Sequence, residues 1–502
     1  MTATAAQVET REKYGFYIDG EESFPTSGET FESTNPATGE VWADMSLAGA
    51  EDVDRAVKAG WAAFESAAWG GLTATRRGRL LMRLADLVAE RAEELAAYET
   101  RDNGKLYREM TAQFKQIPEY LYYFGGMADK IEGAVVPLDR PTMFGYRVRE
   151  PLGVVALITP WNSPSLDTMM YTGAALAGGN TLVIKPSEFS SAGFLHLVRL
   201  FEEAGFPPGV VNVVTGPAAT GAALVNHPGV EKVAFTGGPV GGQAVAESLA
   251  ARTRGFLLEL GGKSPNIVFA DADLDAAEAG VFAGIFAATG QTCIAGSRLL
   301  VQSEVYDEFV GRLVGRAEQI RLGDPMKVET QMGPVATQPQ IEKIAGFVED
   351  ARKNGANVAT GGDFASVEEL PNGLFYKPTI IRDVDPADRL AQQEVFGPVL
   401  ATMPFTDEAE ALAIANSTEY GLAAGLWTRD VKRVHKMAKR LRAGSVWVNT
   451  YRAFAPNAPF GGYKSSGIGR KNGIEAVQEF LQSKMVWCEL GDEIQDPFIM
   501  KT

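Results

Sequence analysis

From position 51 onward, apolar side chains return every third or fourth residue. The segments EDVDRAVKAGWAAFES and TRRGRLLMRLADLVAERAEELAAYET follow this spacing, with good helix formers between the apolar positions. Such spacing sets one apolar stripe along a 3.6-residue turn, so helices are predicted through residue 100. The stretch from Arg140 to Arg149, with prolines at 137, 141 and 151, is polar and β-like. Beyond it the rhythm changes. PLGVVALITPW and TLVIKP are short β-branched runs closed by Pro160 and Pro186, and a helical pattern (SSAGFLHLVRLFEEAG) follows the second. GVVNVVTG and KVAFTGG repeat the arrangement, each passing from a Val-rich run into a Gly-containing turn and an Ala-rich helix. Apolar strands alternating with helices predict parallel β-α units with both sheet faces covered. Residues 152–261 are therefore the best candidate for a dinucleotide-binding unit. A second α/β block begins at NIVFADADLD and includes the helix VYDEFVGRLVGRAEQI, the loop-rich GDPMKVETQMGPVAT and the strand GSVWVNT. The C-terminal FLQSKMVWCEL reads as an exposed strand available to another subunit.

Length and charge narrow the function classes. A chain of 502 residues exceeds one simple core, and two or three domains are expected. Its 54 glycines fit many tight turns and close backbone approaches. The net charge of −16, with no basic run, argues against nucleic-acid binding. No stretch approaches 18 unbroken apolar residues and the N-terminus has no apolar leader, so neither a membrane span nor a secretory signal is predicted. Two cysteines, Cys293 and Cys488, are too few for a disulfide framework and suit a reducing, cytoplasmic setting. The three histidines (His196, His227, His435) stand at no metal-ligand spacing, and no metal site is expected.

Several positions could carry chemistry. Cys293, in ATGQTCIAGSR, fits a buried structural thiol. It equally fits a tight loop between Gly290 and Gly296, where backbone N–H groups support a thiolate. Glu259, inside the apolar FLLELGGKSP, fits a general base whose proton affinity burial raises, or a strand-end carboxylate paired with Lys263. Asn162, in ITPWNSP, stands at the C-terminal end of a predicted parallel strand and could donate to an oxyanion. An Asx-turn before Pro164 is the plainer explanation. Lys185 and Glu188 in IKPSE could reach ribose hydroxyls, and the same residues read as a helix N-terminus capped by Ser187. FTGGPVGG, Phe235 to Gly242, runs from a strand through a Gly-rich turn into a helix, a geometry suited to a pyrophosphate, though it does not match G-x-G-x-x-G. Rival motifs fail: GGKS at 261–264 has Leu257 where a phosphate-binding loop needs its first Gly, and no G-x-S-x-G occurs.

Taken in order, TPWNSP, VIKPSE, FTGG, ELGGKSP, GQTCIAGSR, QEVFGPVL and PFGGYKSSGIGR resemble the aldehyde dehydrogenase superfamily, its hydrolytic branch, across nearly the whole chain. The resemblance implies an α/β fold with a Rossmann-like cofactor domain (1–129 and 152–261), an α/β catalytic domain (262–477) and small β oligomerisation segments (130–151 and 478–502). It implies NAD as cofactor, with NADP as the alternative, a small aldehyde as substrate, and a homodimer or homotetramer. Cys293 is then the nucleophile, Glu259 the general base and Asn162 an oxyanion donor. Lys185 and Glu188 would hold the adenosine ribose, and Glu394 and Phe396 the nicotinamide ribose and ring. Ile158, Pro160, Trp161, Gly221, Phe235, Gly237, Gly238, Gly242 and Leu260 would complete the cofactor site. Gly238 stands where many relatives carry Ser, and Lys471 where a carboxylate is common, which leaves the proton path there open. Ser163, Met170, Ile294 and Phe454 would line the substrate tunnel, a mixture poorer in aromatics that implies a broader, apolar-tolerant pocket. A CoA-acylating semialdehyde dehydrogenase is the alternative within the family, although Glu259 argues against it. A thiol esterase is the alternative outside it.

Overall fold

The computed structural model describes residues 11–492 and Phe498. Two large sheets organise the chain. In the first, five parallel strands lie in the spatial order Gly255–Glu259, Lys232–Thr236, Val154–Ile158, Thr181–Lys185, Val211–Val213. Antiparallel strands extend both edges: Gly467–Ile468 beside Gly255–Glu259, and the hairpin Phe16–Ile18/Glu21–Ser23 beside Val211–Val213. The chain enters at Val154–Ile158, builds outward to Val211–Val213, then returns to the other side of its starting strand. The order therefore reverses between Val154–Ile158 and Lys232–Thr236. A crevice opens at such a point, because the connections after the two strands depart in opposite directions. Those connections are Pro160-Trp161-Asn162 and Gly237-Gly238.

In the second sheet seven strands run in the order Asn357–Thr360, Thr379–Arg382, Val399–Phe405, Arg298–Gln302, Pro265–Val268, Ala423–Trp427, Ser445–Val448, and only the first pair is antiparallel. The β-branched runs of both sheets are buried on both faces, as their unbroken apolar character predicts. A smaller sheet pairs Leu481–Glu489 with Met143–Pro151 over nine positions, and Ala134–Val136 lies on the far side of Met143–Pro151. The C-terminal strand, expected to be free for another subunit, thus spends one edge on its own chain and keeps only the other open.

Local signals explain most boundaries. The helix Pro164–Gly178 starts with Pro at its first turn and stops at Gly179, whose φ of 96° few other residues tolerate. It is buried along nearly its whole length, packed against the helix Tyr107–Met127 and the first sheet. The single pattern SSAGFLHLVRLFEEAG forms two short helices, Ala192–Val198 and Leu200–Ala204. Ser187 caps neither. Its hydroxyl accepts from Phe189 N–H in a local turn, and the helix begins five residues later at Ala192, behind Ser191.

Candidate active site

Strand ends converge on the crevice. The segment after Val154–Ile158 brings Trp161 and Asn162; the strand Gly255–Glu259 brings Glu259 at its last position; the loop before Arg298–Gln302 brings Cys293. Two cavities meet there. One, about 650 Å³, is walled by Trp161, Gly237, Gly238, Leu260, Glu394 and Phe396. The other, about 780 Å³, is walled by Met170, Ile294, Phe454, Phe460, Arg452 and Lys471. Cys293, Asn162 and Asp167 line both. A reactive thiol at this junction can face a bound cofactor on one side and a substrate on the other.

The Cys293 loop is held under strain. Ala288 and Thr289 have φ of 53° and 55°, values that cost a side chain about 1–2 kcal/mol each. Gly290 follows at φ 68°, and a Cβ there would meet the Gly397 carbonyl oxygen at 2.1 Å. Strained backbone of this kind persists only where neighbours over-determine it. Here Thr289 Oγ1 donates to Gly333 O, Gln291 Oε1 accepts from Ala336 N–H, and Asn162 Nδ2 donates to Gln291 O at 2.9 Å. The Gly261-Gly262 pair passes so close that a Cβ on Gly262 would meet the Cys293 carbonyl oxygen at 2.4 Å. The glycines of ELGGKSP thus serve close packing, not phosphate binding.

Burial pushes the Cys293 thiol up to about 12; Lys471 opposes that rise, while Asp167, Glu259 and Glu394 add to it. Glu259 is buried and neither carboxylate oxygen meets a hydrogen-bond partner among the described residues. Burial raises it to about 8, again against the pull of Lys471. The expected alternative, a pair with Lys263, does not form: the Lys263 amine is itself buried without a hydrogen-bond partner among the described residues. A carboxylate that desolvation holds near neutrality and that no donor occupies is suited to take a proton from water.

The remaining predicted residues fall into two groups. Pro160, Trp161, Gly237, Gly238, Leu260, Glu394 and Phe396 share the first cavity with the chemical groups. Trp161 and Phe396 meet edge to face with centroids 5.3 Å apart, Phe396 is held at φ 60°, and Glu394 Oε1 accepts from Gly262 N–H at 2.9 Å. Ile158, Lys185 and Gly221 cluster outside that crevice, where a Cβ on Gly221 would lie 3.5 Å from Lys185 Cδ and 3.9 Å from Ile158 Cδ1. Glu188 lies 3.7 Å from Lys185 Nζ. Phe235 packs beneath Gly237, and Gly242 against Leu260. Gly238 caps the twelve-residue helix Pro239–Ala250 and faces open space. The helix's unpaired N–H groups and positive dipole end are there free to meet a phosphate. This set fits a nicotinamide dinucleotide.

The tunnel has more polar members than the sequence indicated. Ser163, Met170, Ile294 and Phe454 line it as predicted, but so do Gln113, Gln116, Arg452 and Lys471, alongside Tyr120 and Phe460. Its wall is mostly apolar, with these polar and charged side chains set into it. Asp167 and Arg452 escaped the sequence reading. Asp167 left one usable signal, since it is the only charge in the apolar helix PSLDTMMYTGAALAG.

A thiol beside a buried, unpartnered carboxylate, at the switch point of a parallel sheet, defines an α/β oxidoreductase-type site. The sequence profile of the aldehyde dehydrogenase family matches residues 24–486. The chain is 46% identical to (Z)-2-((N-methylformamido)methylene)-5-hydroxybutyrolactone dehydrogenase of Acinetobacter baylyi, over 98% of this chain and 100% of that protein. It superposes with a TM-score of 0.93 on the NAD+ complex of aldehyde dehydrogenase from Bacillus cereus, 43% identical, covering 96% of this chain and 97% of that one. A point mutant of betaine aldehyde dehydrogenase from Staphylococcus aureus, solved with NAD+ and a BME-modified cysteine, gives a TM-score of 0.95 at 38% identity, covering 97% and 99%. The chain belongs to the aldehyde dehydrogenase family, and its fold and activity class are those of aldehyde-oxidising oxidoreductases.

Proposed function

We propose that the protein oxidises an aldehyde to a carboxylic acid with NAD+, through a thioester on Cys293 that Glu259 helps to hydrolyse. The observation that carries this reading is the position of Cys293 and Asn162 on the shared wall of the two cavities. An aldehyde entering by the tunnel meets the Cys293 thiolate, which attacks the carbonyl carbon. The new oxyanion is met by Asn162 Nδ2, which exchanges its bond to Gln291 O for it, and by the Cys293 backbone N–H. A nicotinamide coenzyme bound in the crevice of Trp161, Glu394 and Phe396 would supply the acceptor for the hydride. Trp161 and Phe396 wall off water on that side, and Glu394 is held by Gly262 to meet ribose hydroxyls. Once a thioester stands on Cys293, Glu259 takes a proton from water, and the hydroxide displaces the thiolate. Free Glu259 oxygens favour this outcome over acyl transfer to CoA. The NAD+ complex of the Bacillus cereus enzyme supports the choice of coenzyme.

The cofactor domain is assigned to 1–129 and 152–261 and the catalytic domain to 262–477, a division supported by the two large sheets drawing their strands from these separate ranges, apart from Gly467–Ile468. Val135, Phe144 and Trp487 are exposed on the small sheet and Leu481–Glu489 keeps an open edge, which supports a homodimer or homotetramer built there. Among the described residues no helix is long and apolar enough to cross a membrane, and no three His, Cys, Asp or Glu side chains are grouped to hold a metal. The acidic charge and two free cysteines fit the cytoplasm.

Two measurements test this reading. Initial rates over a panel of aldehydes with NAD+ should favour aldehydes with an apolar or aromatic body over small charged ones, given the mostly apolar tunnel wall; an inert panel contradicts it. A carboxylate bonds a ribose 2′-hydroxyl but repels a 2′-phosphate, so NAD+ should be preferred to NADP+, and Glu188→Ser should narrow that preference about tenfold or more. A parent enzyme favouring NADP+ would reverse the cofactor assignment.

A further inference from the structure

The thiol and the general base face an ion pair that the mechanism above does not use. Lys471 Nζ lies 2.7 Å from Asp167 Oδ1, and both side chains are nearly closed to solvent, 4% and 14% exposed. The lysine arrives from the segment after Gly467–Ile468, the strand paired with Gly255–Glu259, and the aspartate from the helix Pro164–Gly178. The ammonium also sits over two rings, 5.6 Å from the Tyr171 centroid and 5.3 Å from that of Phe460. Both members line the tunnel with Cys293. The charged and titratable groups facing Lys471 are Asp167 and Tyr171 on that helix, Tyr120 on Tyr107–Met127, Glu259 and Cys293. Those facing Cys293 are Lys471, Asp167, Glu259, Glu394 and Tyr451. Lys471 thus faces Asp167, Glu259 and Cys293 together, whereas Glu394 faces Lys263 and Lys343.

We propose that Lys471, anchored by Asp167 and the two aromatic rings, is a positioning residue whose fixed charge at the tunnel wall supports the Cys293 thiolate, with Asp167 setting how much of that charge the sulfur feels. The inference rests on Cys293 as nucleophile. Opposite charges stabilise an anion, and a screening carboxylate weakens the effect, so the two halves of one ion pair act on the thiol with opposite signs. Burial opposes the lysine's own charge, yet Asp167, Tyr171, Glu259 and Cys293 hold its proton well above the usual lysine range, so the charge is present throughout the working pH. A merely structural pair has no such antisymmetry, because loss of either member loosens the same contact.

The test is the pH profile of iodoacetamide alkylation at Cys293 in the full-length protein without substrate. Peptide mass spectrometry separates it from Cys488, the other cysteine. Lys471→Met should raise the midpoint by about one pH unit, slowing labelling about tenfold below it. Lys471→Arg should keep the midpoint near that of the parent, and Asp167→Asn should lower it. An unchanged midpoint in Lys471→Met, or a shift of the same sign in Lys471→Met and Asp167→Asn, overturns the proposal. If Lys471→Met does not fold, Asp167→Asn decides alone: a fall supports the role, and no change or a rise refutes it. The outcome is separable from the assignment of the nucleophile, because labelling needs no turnover, whereas that assignment fails if Cys293→Ser still turns over.

Discussion

Replacing Glu259 by Gln is expected to lower steady-state kcat by about 10²–10⁴-fold while leaving the first equivalent of NADH to form in a burst. Removing the base stops the hydrolytic half of the reaction and leaves attack by the thiolate untouched. The pH dependence should follow. A base whose conjugate acid titrates near 8 is protonated at pH 6 and free at pH 9, so parent kcat should climb with pH and level off above about 8. The variant should lose that rising limb. Stopped-flow absorbance at several pH values reads both effects. A Glu259→Gln enzyme with an unaltered kcat profile would remove the base from the mechanism.

The second large effect belongs to Cys293. Cys293→Ser preserves size and exchanges the nucleophile for a hydroxyl that stays protonated across the working pH and attacks far more weakly. Loss of turnover by at least about 10⁴-fold is expected, as for other covalent catalysts stripped of the attacking group. Coenzyme affinity should be nearly unchanged, since the crevice walls of Trp161, Glu394 and Phe396 stay in place. Steady-state kinetics beside a coenzyme binding titration distinguishes this pattern from general loss of fold, which would weaken both.

The residues legible in the sequence were those whose local chemistry conflicts with their surroundings. Glu259 ends an apolar strand, and Cys293 sits among small polar residues and glycines; both conflicts survive folding as a buried free carboxylate and a thiol on a strained loop. The parallel strands were legible because burial on both faces demands unbroken apolar runs. Hydrogen-bond register and helix breaks were not. Nothing in LVRLFEEAG marks the interruption at Arg199, and a capping motif at Ser187 proved to be a turn instead of a helix start. The Lys471–Asp167 pair lay out of reach for a different reason: its members stand 304 positions apart, and only folding of the Gly467–Ile468 strand back onto the first sheet joins them. The polar members of the tunnel wall escaped in the same way, since Gln113 and Arg452 come from distant segments that spacing alone does not bring together.

The acyl group itself can be weighed. Glu259→Gln protein mixed with a competent aldehyde and NAD+, quenched in acid and digested, should yield the peptide containing Cys293 heavier by the mass of the acyl group, with the Cys488 peptide unmodified. An unmodified Cys293 peptide from a sample that has formed one equivalent of NADH would contradict the account at its root.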